Sequence, residues 1–300
     1  MTIDSAKQAL GALVDEVWEA VLERDPYTAS AVGRKVTTFG RGDLAEAETT
    51  AAAARTRRDR LDRIDLSGLD RTHKLTAGFI RHLLSIEIDE PQRWWTGFGI
   101  APYSGIWLSL VPRMLLASID LTDPAEAARY LKLAAQLADA VDAMRERVLG
   151  QAERGWRLPK PALPNARKTL EGNASIAVAA VLLADDRPAS DDVRTVVTKI
   201  VEDELKPAFA RLLDTIGPDY EAAAPDDAGM MHQPGGAEAY RLWLRYHLGA
   251  DLDPADLHQL GLDEVAMLAA EMERVRTEQF GHNGDEASFH NRLRQDPKAK

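Results

Sequence analysis

Apolar residues recur at intervals of three and four along most of the chain, and this spacing predicts helices from end to end. The first helix face carries Leu10, Leu13, Val14, Val17, Trp18 and Val21. Asp25-Pro26 ends or bends this helix, because the residue before a proline is pushed out of the α region. No alternating strand pattern and no fixed-period repeat accompanies these segments. The sequence therefore predicts an all-α, multi-helix fold.

Further helices follow from the same periodicity, over about 43–61, 70–88, 123–155, 165–183, 191–216, 236–247 and 262–280. The clearest start is Asp123-Pro124, where the aspartate can cap the helix and the proline suits its first turn. Asp253-Pro254 predicts a further short helix before the last one. The segment 94–109 is rich in glycine, proline and aromatic residues, which indicates an irregular connection.

Pro159, Pro161 and Pro164 mark the best internal boundary, because no helix tolerates prolines at that spacing. We expect an N-terminal helical subdomain over 1–157 and a proline-rich connection over 158–168. A second helical subdomain, incomplete at its C-terminal end, is expected over 169–300.

Composition narrows the classes of function. Acidic residues exceed basic ones by 48 to 37, which gives a net charge of -11 and disfavours nucleic-acid and anionic membrane partners. The chain has no cysteine, which excludes disulfides, thiolate metal sites and a cysteine nucleophile. We find neither a signal peptide nor a membrane-length apolar run, so a cytoplasmic location is expected.

Catalytic motifs are absent from the sequence. None of the seven histidines begins a His-Glu-x-x-His motif, which would put two imidazoles and a general base on one helix face. Glu286 and His290 are four residues apart, but two candidate ligands make a solvated surface pair the better interpretation. Nucleophile-elbow and phosphate-loop spacings are also missing. We therefore assign no catalytic residue and no metal ligand to this chain.

Two segments are candidates for binding. The aromatic residues of the irregular connection could line a pocket for apolar ligand groups or fill the core, and core packing is the favoured alternative; they are Trp94, Trp95, Phe98, Tyr103 and Trp107. The second segment is the Gly235-Gly236 turn, which His232 and Tyr240 flank. A double glycine lets the backbone approach a ligand or, more commonly, another helix.

Several blocks of the sequence, in order and spacing, resemble a large bacterial family known as domain of unknown function 885. The matching blocks are Asp25-Pro26 with Ala29-Ser30 and Gly33; Ile64 to Leu69; Asp123-Pro124 to Tyr130-Leu131; Gly155 with the prolines after it; Val201 to Ala208; Pro234 to Tyr240; and Leu257 to Val265, continuing to Glu271-Met272. The block from Leu257 resembles the family's helix-Gly-Leu-helix corner.

The resemblance implies a helical zinc-metallopeptidase-like protein whose cleft architecture is similar to that of thimet oligopeptidase, with only the N-terminal part present here. It implies peptide substrates and hydrolysis by a zinc-bound water. The family's His-Glu-x-x-Pro-Gly-His segment lies downstream of the part matched, so no zinc ligand is carried over to this chain. Tyr240 is the best candidate for a residue that faces the substrate cleft, with His232 behind it.

Two functional hypotheses remain open. The chain is either the non-catalytic portion of a peptidase, whose partner is a C-terminal catalytic half or a separate chain, or a stand-alone helical binding or scaffold protein without enzymatic activity. The first hypothesis predicts an exposed apolar surface where the second half would pack. The second predicts a stable monomer or homo-oligomer without metal or hydrolysis.

Overall fold

The computed structural model describes residues 2–103, 105–281 and 284–297. Helices make up 74% of the chain and the described residues contain no strand, which confirms the predicted all-α, multi-helix fold. The α-helices are α1 Ile3–Arg24, α2 Pro26–Ala31, α3 Leu44–Asp62, α4 Arg71–Ile88, α5 Glu90–Thr96, α6 Leu110–Ala117, α7 Pro124–Glu153, α8 Leu163–Val181, α9 Asp191–Lys199, α10 Lys206–Thr215, α11 Pro218–Ala222, α12 Gly236–Leu248, α13 Pro254–Arg274 and α14 Glu286–Gln295. The thimet-oligopeptidase-like cleft stays a prediction.

Short polar side chains fix where many of these helices begin. At the start of six helices, an aspartate side chain accepts a hydrogen bond from a backbone amide two or three residues later. These aspartates are Asp25, Asp43, Asp70, Asp123, Asp253 and Asp285. Such a bond satisfies one of the amides that the first helical turn leaves without a partner. Three of these helices, α2, α7 and α13, also carry proline in their first turn, where its missing amide proton costs nothing.

Two predicted boundaries are wrong. Helix α5 carries Trp94 and Trp95, so the irregular connection begins only at Gly97. The short helix predicted after Asp253 and the helix predicted over 262–280 are one element, since α13 runs through Gly261 and continues as a π-helical segment, Val275–Gln279. A glycine inside a helix costs only about 1 kcal/mol relative to alanine, so Gly261 does not by itself create the expected corner.

Pro207 produces a local change of helix type rather than a break. The backbone passes from α9 through a π-helical turn, Ile200–Leu205, directly into α10. Proline lacks an amide proton and clashes with the carbonyl four residues earlier, which the wider turn accommodates.

The chain divides into two compact units, Met1–Trp243 and Leu244–Lys300. In the first unit, one core joins α1, α3 and α4 through residues such as Leu10, Leu61 and Leu84. A larger core surrounds α7 and includes Tyr130, and it draws on helices before and after the proline-rich segment 158–168. That segment lies within the first unit, and the division into 1–157 and 169–300 stays a prediction.

Candidate functional site

Tyr240 and His232 both lie at the surface of the first unit. His232 ends a 3₁₀ turn, Met230–His232, and Tyr240 lies in α12 with 42% of its surface exposed. Neither side chain forms a hydrogen bond with another residue that the structure describes. The role in a substrate cleft that we expect for them stays a prediction.

The double glycine beside them allows close packing of one chain segment on another. Gly235 has a φ of +65°, a conformation that favours glycine. A Cβ atom on Gly236 would lie 1.7 Å from the carbonyl oxygen of Met230. This distance is too short for any side chain, so the position requires glycine. The indole Nε1 of Trp156 donates to the carbonyl of Pro234 at 2.9 Å. This turn is therefore held against the segment that follows α7, and the glycines serve that contact.

The predicted aromatic cluster divides between packing and exposure. The guanidinium of Arg154 lies 3.7 Å from the ring centroid of Trp95, and the rings of Phe98 and Trp156 are 6.0 Å apart. Tyr103 is 97% exposed. Trp94 and Trp107 take a third role, because both line a pocket.

Arg147 fixes the position of Trp94. Its Nε donates to the carbonyl of Trp94 at 2.9 Å, one Nη donates to the carbonyl of Gly97 at 2.8 Å, and its guanidinium lies 4.2 Å from the Trp94 ring centroid. The amide of Gln151 donates to the same Gly97 carbonyl at 2.8 Å. Burial lowers the pKa of Arg147 to about 10, so it remains a cation at neutral pH. One wall of the pocket is thus rigidly held.

The pocket itself encloses about 280 Å³ in the first unit, beside α2, α3, α5, α6 and α7. Its apolar and aromatic lining residues are Pro26, Tyr27, Phe39, Ala47, Trp94, Trp107, Val111, Pro112, Leu137 and Ala140. Its charged groups are Arg24, Asp25, Asp43, Glu46 and Glu90. An apolar concave site with a few polar groups is the common form of a small-molecule site.

Most of these charged groups already have partners. The guanidinium of Arg24 lies 2.7 Å from the carboxylate of Glu87, which is only 5% exposed. Glu46 accepts hydrogen bonds from two backbone amides at 2.8 Å, and Asp25 caps α2. Glu90 differs, because its partly buried carboxylate accepts no hydrogen bond from any residue in the described ranges. Nothing in the sequence distinguished Glu90 from the other acidic residues.

No zinc site is assembled by the residues that the structure describes. Among them, no three histidine, aspartate or glutamate side chains come together in a way that could hold a metal ion. Glu286 and His290 form an exposed pair with 3.3 Å between Oε1 and Nε2, the solvated pair that their spacing predicts. The zinc that the family resemblance implies does not fit the described part of this chain.

Helix α13, in the second unit, is unlike the helices of the first. It has 21 residues and buries none of them. Its exposed apolar side chains are Leu260, Leu262, Val265, Met267, Leu268 and Met272, each more than half exposed. Val265, Leu268 and Met272 follow helical spacing and so share one face of the helix.

The chain matches a protein family and is similar to a solved structure. Residues 26–300 match the family DUF885, described as "Bacterial protein of unknown function (DUF885)". No curated protein matches the chain. Over 99% of its length the chain is similar to the crystal structure of "the putative lipoprotein from Colwellia psychrerythraea", with a TM-score of 0.72 and 20% sequence identity. This likeness shows the fold alone.

Two further findings bear on the size and surroundings of the protein. The chain covers 55% of the Colwellia protein, so it spans about half the length of that structure. Within residues 2–103, 105–281 and 284–297, no helix combines the length and the apolar character needed to cross a bilayer.

Proposed function

Since the chain belongs to the DUF885 family of bacterial proteins, we propose that it is the non-catalytic N-terminal portion of a zinc-dependent peptidase. Peptide hydrolysis then requires a second half that carries the His-Glu-x-x-Pro-Gly-His segment of the proteins it resembles. The observation that carries this proposal is the bare apolar surface of α13. The proposed role of this chain is to supply scaffold and one docking surface for the catalytic half.

The exposed side chains of α13 support a covered surface in the complete protein. Monomeric soluble proteins seldom leave a contiguous apolar patch of this kind open to water. Burying a Val, Leu or Met side chain contributes about 1.5–3 kcal/mol, so covering Val265, Leu268 and Met272 gives a substantial drive for association. The greater length of the Colwellia structure supports the same occupant, namely further polypeptide of the same protein.

Zinc chemistry is assigned to the second half and not to this chain. The described residues do not offer three ligands to one ion. No step of hydrolysis is therefore derived through any residue here. Tyr240 and His232 keep their proposed position in the substrate cleft, where they would contact the peptide rather than the metal.

The test is to sequence the source DNA past the codon for Lys300 and to prepare the protein with and without any His-Glu-x-x-Pro-Gly-His-bearing segment found there. We expect hydrolysis of a fluorogenic peptide library only when that segment is present, with loss of activity on chelation of zinc. The paired substitution Val265→Asp and Leu268→Asp should weaken association of the two halves. Hydrolysis by this chain alone, or absence of any such segment, overturns the proposal.

A second candidate function is a stand-alone helical binding protein. The preformed pocket of about 280 Å³ favours it, because that site is complete within the first unit. This alternative requires neither metal nor a second half. In both cases we propose a cytoplasmic protein whose partners are neither nucleic acids nor membranes. The net charge of -11 supports the exclusion of these two partner classes.

A further inference from the structure

We infer that the pocket of the first unit binds a small organic cation, a primary ammonium or guanidinium group attached to a short apolar body. Three features of the pocket carry this inference: its size, its aromatic wall and the carboxylate of Glu90. The inference gives the second candidate function its ligand class. It does not depend on the peptidase proposal, because every lining residue belongs to the first unit.

The size of the pocket sets the size of the ligand. The pocket has a volume of about 280 Å³. It lies at the lower end of the range for small-molecule sites, which is about 300–1,000 Å³. A single ring or a short aliphatic chain with one charged group fits this space, whereas a folded macromolecular surface does not.

The aromatic wall favours a cation over a neutral ligand. Tryptophan is the best side chain for cation–π attraction, which contributes about 0.5–2 kcal/mol according to how far the cation is desolvated. Trp94 already has Arg147 over its ring at 4.2 Å. Trp107 is 38% exposed, and no cation of the described chain lies over its ring. Trp107 is therefore one ring of the pocket wall that is available to a bound ammonium group.

The charges around the pocket also favour a positively charged ligand. Four carboxylates and one guanidinium line it, and that guanidinium, on Arg24, is paired with the buried carboxylate of Glu87. Glu90 is the carboxylate that keeps its full acceptor capacity, because the other three already receive hydrogen bonds from backbone amides. Arg147 reduces the negative potential at Glu90 without occupying its oxygens. An anionic ligand would be repelled by these carboxylates, and the one basic side chain among the lining residues, Arg24, is already paired with Glu87.

Isothermal titration calorimetry of the full chain with benzylamine and with benzyl alcohol, its neutral isostere, tests the inference. We expect benzylamine to bind at least tenfold more tightly than benzyl alcohol. In Glu90→Gln this ratio should fall to about threefold or less, while the matched variant Glu48→Gln, an exposed glutamate outside the pocket, should retain it. Trp107→Leu should weaken benzylamine binding more than benzyl alcohol binding.

A second pair of ligands identifies the source of the cation. Tight binding of phenylalanylglycine, lost on N-acetylation, assigns the site to the amino terminus of a peptide. Binding of benzylamine without the dipeptide assigns it to a free amine, and both outcomes support an organic-cation site. Equal binding of benzylamine and benzyl alcohol overturns the inference. So does a ratio that Glu90→Gln leaves unchanged in protein whose thermal unfolding matches that of the wild type.

Discussion

Helices α7 and α13 begin in the same way and end up in opposite surroundings. Both begin within an Asp-Pro-Ala sequence, and in both the capping carboxylate, Asp123 or Asp253, accepts a hydrogen bond at 2.8 Å from the amide of the alanine. Each also carries an acidic residue in its first turn, which favours the positive end of a helix. Local sequence therefore specifies the start of both helices equally well.

Helices α7 and α13 differ in how many of their residues are buried. Twelve residues of α7 are buried, including Tyr130 and Leu133, whereas none of α13 is. Both helices carry apolar residues at helical spacing, so the difference does not lie in their own periodicity. It lies in whether other segments cover that face. The comparison teaches that an apolar period predicts a helix but does not predict whether the polypeptide at hand supplies its partner.

The largest expected difference between the two helices comes from one substitution made in each. Leu133→Ala removes a side chain that is fully buried in the core around α7, and it should lower the free energy of unfolding by about 2–5 kcal/mol. Leu268→Ala removes one that is 53% exposed on α13, and it should change that free energy by less than about 0.5 kcal/mol. Urea unfolding followed by circular dichroism measures both.

The pair of leucine variants also tests the exposure of α13 in solution. If Leu268→Ala costs as much as Leu133→Ala, the apolar face of α13 is covered in solution, for example by a second copy of the chain. Sedimentation of the wild-type protein over a range of concentrations then shows whether that cover is self-association. Such a result would remove the observation on which the proposed peptidase half depends.

A glycine substitution should have opposite signs in the two regions. Gly236→Ala places a Cβ atom 1.7 Å from the carbonyl oxygen of Met230, and the required backbone shift should cost about 1–3 kcal/mol. Gly261→Ala meets nothing within 4 Å inside α13 and should increase the stability of that helix by about 1 kcal/mol. Thermal unfolding and helix content at 222 nm measure the two effects.

The two glycine variants also test the packing of the turn 229–236 and the straightness of α13. If Gly236→Ala is neutral, the turn 229–236 does not pack against the segment after α7 as the structure has it. If Gly261→Ala reduces helix content, α13 is bent at this residue in solution, and the helix-Gly-Leu-helix corner of the resembled family is restored. Both variants can be measured in the same buffer and at the same protein concentration.

The helical elements of this fold were predictable because their signals are local. An aspartate that caps, a proline in the first turn and an apolar period act within one or two turns, so the limits predicted for α3, α4 and α7 agree with the structure within two residues. The prediction failed where no local signal opposed a helix. Trp94 and Trp95 continue helically because nothing before Gly97 breaks the backbone, and Gly261 alone does not end α13.

The pocket was not predictable, because its parts are distant in sequence. Phe39, Glu90, Trp107 and Leu137 meet only once α7 has packed against α5 and α6. The aromatic segment did carry a signal, and the structure assigns different members of it to packing and to the pocket wall. The importance of Glu90 depends on which other carboxylates already have partners. That information exists only in three dimensions.

The smallest difference concerns the two caps with which the comparison begins. Removing an N-cap aspartate costs about 0.5–2 kcal/mol in the helix that it starts. Because α7 belongs to the core, Asp123→Ala should lower the global free energy of unfolding by that amount. Asp253→Ala should instead fray the first turn of α13, whose unfolding exposes no buried residue, and leave the global value unchanged. Urea unfolding measures the global term, and amide hydrogen exchange at Ala255 and Leu257 measures the local one.

Equal global losses in the two cap variants would mean that α13 unfolds together with the core, contrary to its division into a separate unit. The same pair of variants then becomes informative about a catalytic half. Once α13 is covered by a partner, its first turn is coupled to a folded interface, and Asp253→Ala should begin to cost global stability as Asp123→Ala does. A cap that matters only in the presence of the second half would locate the docking surface on α13 without any measurement of hydrolysis.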